Sequence, residues 1–229
     1  MMADRSKDLE SLYPFLHGKE KDSLQEDEAL LESVRQKAEQ SASENQKFFA
    51  LQGNALIEAA RAIAVVYGQG GRMFAIGNGG SSCDASHFAI EFQHPITTGR
   101  PALPAINLCN DAAMITAVGN DVGIEHVFVR QLDALACAND GLIGFSTSGN
   151  SKNLIEAYRK AKEIGMTTIG LSGGDGGAMR QCNLVDHCLT VNTDSIHRVQ
   201  EVHVIAYHIL WDLVHTLHCD HRGKLGKKV

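Results

Sequence analysis

The sequence predicts an α/β fold: a five-stranded parallel sheet with helices on both faces and a helical N-terminal extension. Three observations carry this. Short apolar runs alternate with helical patterns of ten residues or more, the rhythm of β-α-β units. Four of the apolar runs end in clusters of Gly, Ser, Asn and Asp, as strands do where they turn into helices. The chain has 229 residues, 44% hydrophobic and 21% charged, enough for one buried core with an appendage.

The elements follow in order. Residues 1–43 read as an arm and a helix, and 44–229 as the folded domain. The first 25 residues are polar around one apolar clump, Leu12 to Leu16, and read as a loosely held arm. Apolar residues at helical spacing mark one helix from Glu26 to about Ser43. A second runs from about Glu44 to Gly70, with glycine at its end. "RMFAIG", "ALPAINL", "GLIGFS", "TTIGLS" and "LVDHCLTV" are the five strand-like runs. Between them lie helical patterns in "DAAMITAVG", "GIEHVFVRQLDALA" and "NSKNLIEAYRKAKEIG", and a short "GGAMRQ". "HRVQEVHVIAYHILWDLVHTLH" closes the fold as a long helix. Crossovers between parallel strands are right-handed, which puts helices on both faces.

Composition sets limits. A formal net charge of −6 gives no field for nucleic acid or an anionic membrane. "MMADRSKDLE" has no apolar signal-peptide region, and no window reads as about 18 apolar residues. Six scattered cysteines without a C-x-x-C fit reduced thiols in a cytoplasm. Each cysteine alone reads as a small core hydrophobe.

Ligands of open parallel sheets sit beyond the C-terminal strand ends. The segment Ser146-Thr147-Ser148-Gly149-Asn150-Ser151 offers four hydroxyls within six residues where a helix begins. Backbone N–H groups and the helix N-terminus favour an anion there. Gly77-Asn78-Gly79-Gly80-Ser81 is a second such turn. Neither segment is a Walker A, and "GNGGSS" lacks the dinucleotide spacing. A site with hydroxyls and no lysine suits a sugar phosphate better than a triphosphate. His87 and Glu91, four residues apart, share a helix face. Such a pair can chelate a metal or set a base beside a polarising group; alone it equally reads as a surface pair or a cap. The closing helix carries His197, Gln200, Glu201, His203, His208, His215 and His218. Gln200 and His208 stand roughly 12 Å apart along the axis, a strain on one intrachain metal and a hint of an interface site. His215, His218 and His221 read as solvent-facing or core-edge residues.

Together these segments resemble the phosphoheptose isomerases, with the SIS (sugar isomerase) fold, a flavodoxin-like sandwich. The match runs from about residue 45 to 219, on "GNGGSSCDASHFAIEF", "AVGNDVG", "STSGNS", "GGDGG" and "RVQEVHVIAYHIL". The resemblance implies isomerisation of D-sedoheptulose 7-phosphate to D-glycero-D-manno-heptose 7-phosphate through an enediol, in bacterial heptose and lipopolysaccharide core biosynthesis. It implies that Asn78, Gly79, Gly80, Ser81, Asn120, Asp121 and Gln200 meet the sugar, and that Ser146, Thr147, Ser148 and Ser151 hold the phosphate. It further implies zinc, one per subunit, on His87, Glu91, Gln200 and His208, with Glu91 and His208 as acid–base residues. A homotetramer with sites shared between subunits is implied as well. One departure stands out: His197 occupies a position, just before the arginine of "RVQE", where some relatives carry an acidic residue. Two other readings compete. One is a non-catalytic binding protein of the same fold, like the relative that binds the replication initiator DnaA; that relative lacks equivalents of His87, Glu91 and His208. The other is an isomerase of a different sugar phosphate.

Overall fold

The structure is a computed structural model that describes the backbone of residues 23–223 and the side chains of 26–218. The expected arm and its apolar clump lie outside the described residues, as does the side chain of His221. The described chain forms two compact units, up to Gln40 and from Ser41 onward, and the sheet and the candidate site belong to the second.

Helix α1 spans Ser23–Gly68 without a break at 43/44. The expected division into two helices is therefore corrected. No Pro interrupts the run, and the first glycine inside it, Gly53, has open space around it. A stretch of α1 is also long and apolar enough, by composition, to cross a membrane. That amends the expectation of no such window. Its residues Leu56, Ala59, Ala60, Ile63, Val66 and Tyr67 are buried in the core against the sheet.

Strands β1 (Met73–Gly77), β2 (Ala105–Asn107), β3 (Gly141–Ser146), β4 (Thr167–Gly173) and β5 (His187–Val191) form one sheet. Its order is β2-β1-β3-β4-β5, with every neighbouring pair parallel. β2 begins only after Pro104, which has no N–H to give the ladder, and so is shorter than its apolar run. The helices are α2 (Gly80–Gln93), α3 (Ala112–Asp121), α4 (Val129–Leu135), α5 (Lys152–Ile164), α6 (Gly177–Gln181) and α7 (Ile196–Gly223). The run expected as one helix after Gly123 splits into a 3-10 turn, Ile124–His126, and α4.

The strands are buried on both faces, so they read as continuous apolar runs. Side chains alternate between two cores. Met73, Ala75, Ile143 and Phe145 pack with α1, α2 and α7. Phe74, Ile76 and Leu142 pack with residues of α3, α4, α5 and α6. From β1 the chain crosses one way to β2, then returns to β3 on the other side of β1. The crevice between the ends of β1 and β3 is therefore the switch point, where such sheets bind ligands.

Candidate active site

Helix α2 starts directly at the end of β1, and α7 packs beside it. Three pairings fix their parallel register. A Cβ on Gly80 would stand 2.2 Å from Gln200 Nε2, so glycine is what lets that amide lie against the start of α2. His87 Nδ1 lies 2.7 Å from the Tyr207 hydroxyl. Trp211 Nε1 donates to the Glu91 carbonyl at 2.7 Å. Seven residues separate the first two levels on both helices, and four the last two.

This register brings His208 to His87 and Glu91, with one ligand atom from each within 4.8 Å of the others. His87 Nε2 is 3.1 Å from Glu91 Oε1. Donors on a tetrahedral zinc, with bonds of 2.0–2.2 Å, stand about 3.4 Å apart, so a small closure suffices. The outer bonds also fit. His208 Nδ1 donates to the Val204 carbonyl at 2.7 Å, which leaves Nε2 to ligate. With its Nε2 lone pair given to an ion, His87 would donate Nδ1–H to Tyr207. Burial, then the Asp84 and Glu91 carboxylates, push the Tyr207 phenol above its ordinary range, so it stays a neutral hydroxyl. The three residues thus suit a borderline metal such as zinc. All three come from one chain, whereas the spacing of Gln200 and His208 alone hinted at an interface. Gln200 sits two helical turns before His208, at the level of Gly80.

The loop after β3 lies on the other side of the switch point. Ser146 is buried; its Oγ lies 3.1 Å from Ser151 Oγ and accepts from Gly149 N at 3.1 Å. Ser148 Oγ accepts from Asn150 N at 3.2 Å. The turn after β4 buttresses this loop. Asn150 Oδ1 accepts from Ala178 N, and Gly149 O from Met179 N, both at 2.9 Å. Gly149 has φ +65°, and a Cβ there would meet the Gly176 carbonyl at 2.1 Å; both demands require glycine. Helix α5 then opens at Lys152, with Ser151 as its N-cap residue. Asn78 and Asn153 tie the two sides together by reciprocal amide bonds of 2.9 and 2.8 Å.

Not every expected residue gathers here. Asn120 and Asp121 end α3, exposed, and their side chains bond each other at 2.7 Å. Ser81 is buried at the start of α2. His197 is exposed at the start of α7. His215 and His218 are buried; His215 stacks on Phe92 and faces the Trp211 and Pro101 carbonyls.

The sequence from residue 38 to 173 matches the SIS domain family. Similarity extends to the phosphoheptose isomerase of Solidesulfovibrio magneticus, 40% identical over 187 residues, which is 82% of this chain and 90% of that protein. The chain belongs to the phosphoheptose isomerase family. The family's Helicobacter pylori (strain HPAG1) protein is 49% identical over 144 residues, 63% of this chain and 74% of its own. Among solved structures, the phosphoheptose isomerase of Neisseria gonorrhoeae superposes with a TM-score of 0.76 at 35% identity, covering 82% of this chain and 99% of that one. That of Francisella tularensis gives 0.77 at 34%, covering 81% and 98%. Membership agrees with the parallel sheet and the helical extension that the sequence predicts.

Four residues of this family member's site escaped the sequence reading: Tyr207, Trp211, Asn153 and Asp84. Asp84 is 6% exposed, and its Oδ2 lacks a hydrogen-bond partner among the described residues. Burial pushes its carboxyl up to about 6. Asp84 and Tyr207 lie inside the quoted motifs, and Asn153 two residues past "STSGNS", but only the packing of the elements distinguishes them from their neighbours.

Proposed function

We propose that this chain isomerises D-sedoheptulose 7-phosphate to D-glycero-D-manno-heptose 7-phosphate in bacterial heptose biosynthesis. The observation that carries it is that one chain builds both a three-ligand corner on α2 and α7 and a hydroxyl loop opening α5, with α2 and α5 starting on either side of the β1/β3 switch point. Membership of the phosphoheptose isomerase family supports the choice of substrate.

Aldose–ketose interconversion moves a proton between adjacent carbons, through an enediol, while protons shift on the two oxygens. Ser146, Thr147, Ser148 and Ser151 would bind the phosphate with the N-terminus of α5. Gly79, Gly80, Ser81 and Gln200 would line the sugar, with Asn78 offering backbone, and Asn120 and Asp121 closing from α3. His87, Glu91 and His208 would hold a divalent ion, zinc by donor type, with Gln200 the fourth ligand. Bound there, the ion supplies polarisation of the carbonyl and the neighbouring hydroxyl. Glu91 has two oxygens, so one can ligate while the other carries the proton between carbons. His208 has a single nitrogen to give once Nδ1 is bonded to Val204. As a ligand it cannot simultaneously be the acid, and those two roles are alternatives.

The catalytic unit would be residues 44–229, with 1–43 an appended arm and helix. Lipopolysaccharide core synthesis is the pathway such a product feeds. One zinc per subunit, a homotetramer sharing its sites and a cytoplasmic setting complete the reading. The five cysteines among the described side chains are free thiols, which agrees with that setting. Incubation with sedoheptulose 7-phosphate, followed by NMR, tests it: an aldoheptose 7-phosphate should appear. Folded protein that leaves the ketose unchanged would exclude the activity.

A further inference from the structure

We propose that Asn153, through its pair with Asn78, is a positioning residue that fixes the span of the crevice and so the length of phosphosugar processed. This rests on the isomerase reading above.

Asn78 is the first residue beyond β1 and leads into the helix that carries His87 and Glu91. Asn153 is the second residue of α5, directly after the hydroxyl loop. The two stand on opposite sides of the switch point, and their side chains close it. Asn78 Nδ2 donates to Asn153 Oδ1 at 2.9 Å, and Asn153 Nδ2 donates back to Asn78 Oδ1 at 2.8 Å. Asn153 Oδ1 also accepts from Leu154 N at 3.1 Å. That third bond fixes which end of the Asn153 amide is oxygen. Asn153 is 6% exposed, so its half of the pair is shielded from competing water, while Asn78 approaches it from the exposed side.

A carboxamide pair of this kind is matched only when each side brings one donor and one acceptor. Aspartate at either position loses a bond, and glutamine adds a methylene to the span. The pair also engages the side chain of Asn78, so that residue serves substrate through its backbone.

A substrate held by phosphate at one side and reacting at the other must bridge a set distance. A ketose phosphate one carbon shorter falls short by roughly the 1 Å that costs about a hundredfold in rate. A rigid clamp therefore discriminates by chain length, and a loosened one discriminates less.

The test compares wild type with Asn153→Ala, Asn78→Ala and the double variant, on sedoheptulose 7-phosphate and on fructose 6-phosphate. Zinc occupancy and thermal melting are followed in parallel. Asn153→Ala should lower kcat on the seven-carbon substrate by about 30-fold or more, with zinc still bound. The ratio of seven-carbon to six-carbon kcat/KM should fall at least about tenfold. The double variant should be no worse than about twofold beyond the poorer single variant, because both remove the same pair. A ratio within about twofold of wild type, or losses that add, would overturn the assignment even if the overall rate drops. If the alanine variant does not fold, Asn153→Asp keeps the shape and both acceptor roles, replaces the donor to Asn78 by an acceptor, and adds a charge that both substrates meet alike. It should lower the ratio by a smaller factor, and an unchanged ratio overturns the clamp. Wild type inactive on the seven-carbon substrate would remove the isomerase reading and this assignment with it. Active wild type with an insensitive ratio removes the clamp alone.

Discussion

The ligand corner on α2 and α7 is built from ionisable side chains, whereas the loop between β3 and α5 is built from neutral hydroxyls and backbone amides. In the corner, outer hydrogen bonds from Val204 and Tyr207 orient His208 and His87, and Trp211 holds the main chain at Glu91. In the loop, hydroxyls and amides bond one another: Ser146 to Ser151, Gly149 to Ser146, Asn150 to Ser148. The difference teaches where each part should be sensitive. Replacing a corner residue removes a group that has no substitute. Replacing one hydroxyl would leave the neighbouring hydroxyls and the start of α5 to bind the proposed phosphate.

The largest expected effect comes from the corner. Glu91→Gln keeps the shape but not the base, and kcat should fall by about a thousandfold, within the usual range for a general base. Steady-state assays at saturating substrate check this, and undiminished kcat would remove Glu91 as the proton carrier. Tyr207→Phe removes the outer bond of His87 alone. Zinc affinity, measured by competition with a chelator, should weaken about 10- to 100-fold, as for other orienting partners. Ser151→Ala should be milder, raising KM about fivefold at nearly constant kcat, in line with the roughly 1 kcal/mol net worth of one hydrogen bond whose neighbours can partly replace it. A kcat loss as deep as that of Glu91→Gln would erase the contrast between corner and loop.

The smallest effect concerns stability. Burial pushes Asp84 up to about 6 from 3.8, so the folded chain keeps a proton that the unfolded chain has lost between those values. Native stability should therefore fall as pH rises through about 4 to 6, and the deficit should persist above it. Asp84→Asn should recover about 3 kcal/mol at pH 7.5 and only about 0.6 kcal/mol at pH 4, by urea unfolding of metal-free protein. His203 works in the opposite sense. Burial pushes it down to about 4 from 6.5, so its contribution is lost as pH falls through that window. The two slopes offset each other in wild type, and Asp84→Asn should expose the His203 slope alone.

Local spacing made much of this legible. His87 and Glu91 are visible because residues four apart share a helix face, and the serine loop because four hydroxyls crowd one strand end. The five strands are visible because each is a short apolar run ending in turn residues. Tyr207, Trp211 and Asn153 were not visible, because their meaning depends on which elements become neighbours. Tyr207 and Trp211 look like ordinary core aromatics until α7 lies beside α2 in register. Asn153 looks like a helix-start residue until β1 and β3 pair. The break expected at residue 43 failed for a related reason: helical periodicity does not say whether two adjacent patterns join, and nothing in α1 stops them.

The central claim is that the corner of His87, Glu91 and His208 holds a catalytic ion that works on a phosphosugar anchored by the loop. The most direct measurement is a zinc titration of metal-depleted protein in the presence of sedoheptulose 7-phosphate, with aldoheptose 7-phosphate followed by NMR. The account predicts negligible product without metal and turnover that saturates at one zinc per chain. Full turnover by the metal-depleted protein, unchanged by added zinc, would contradict it.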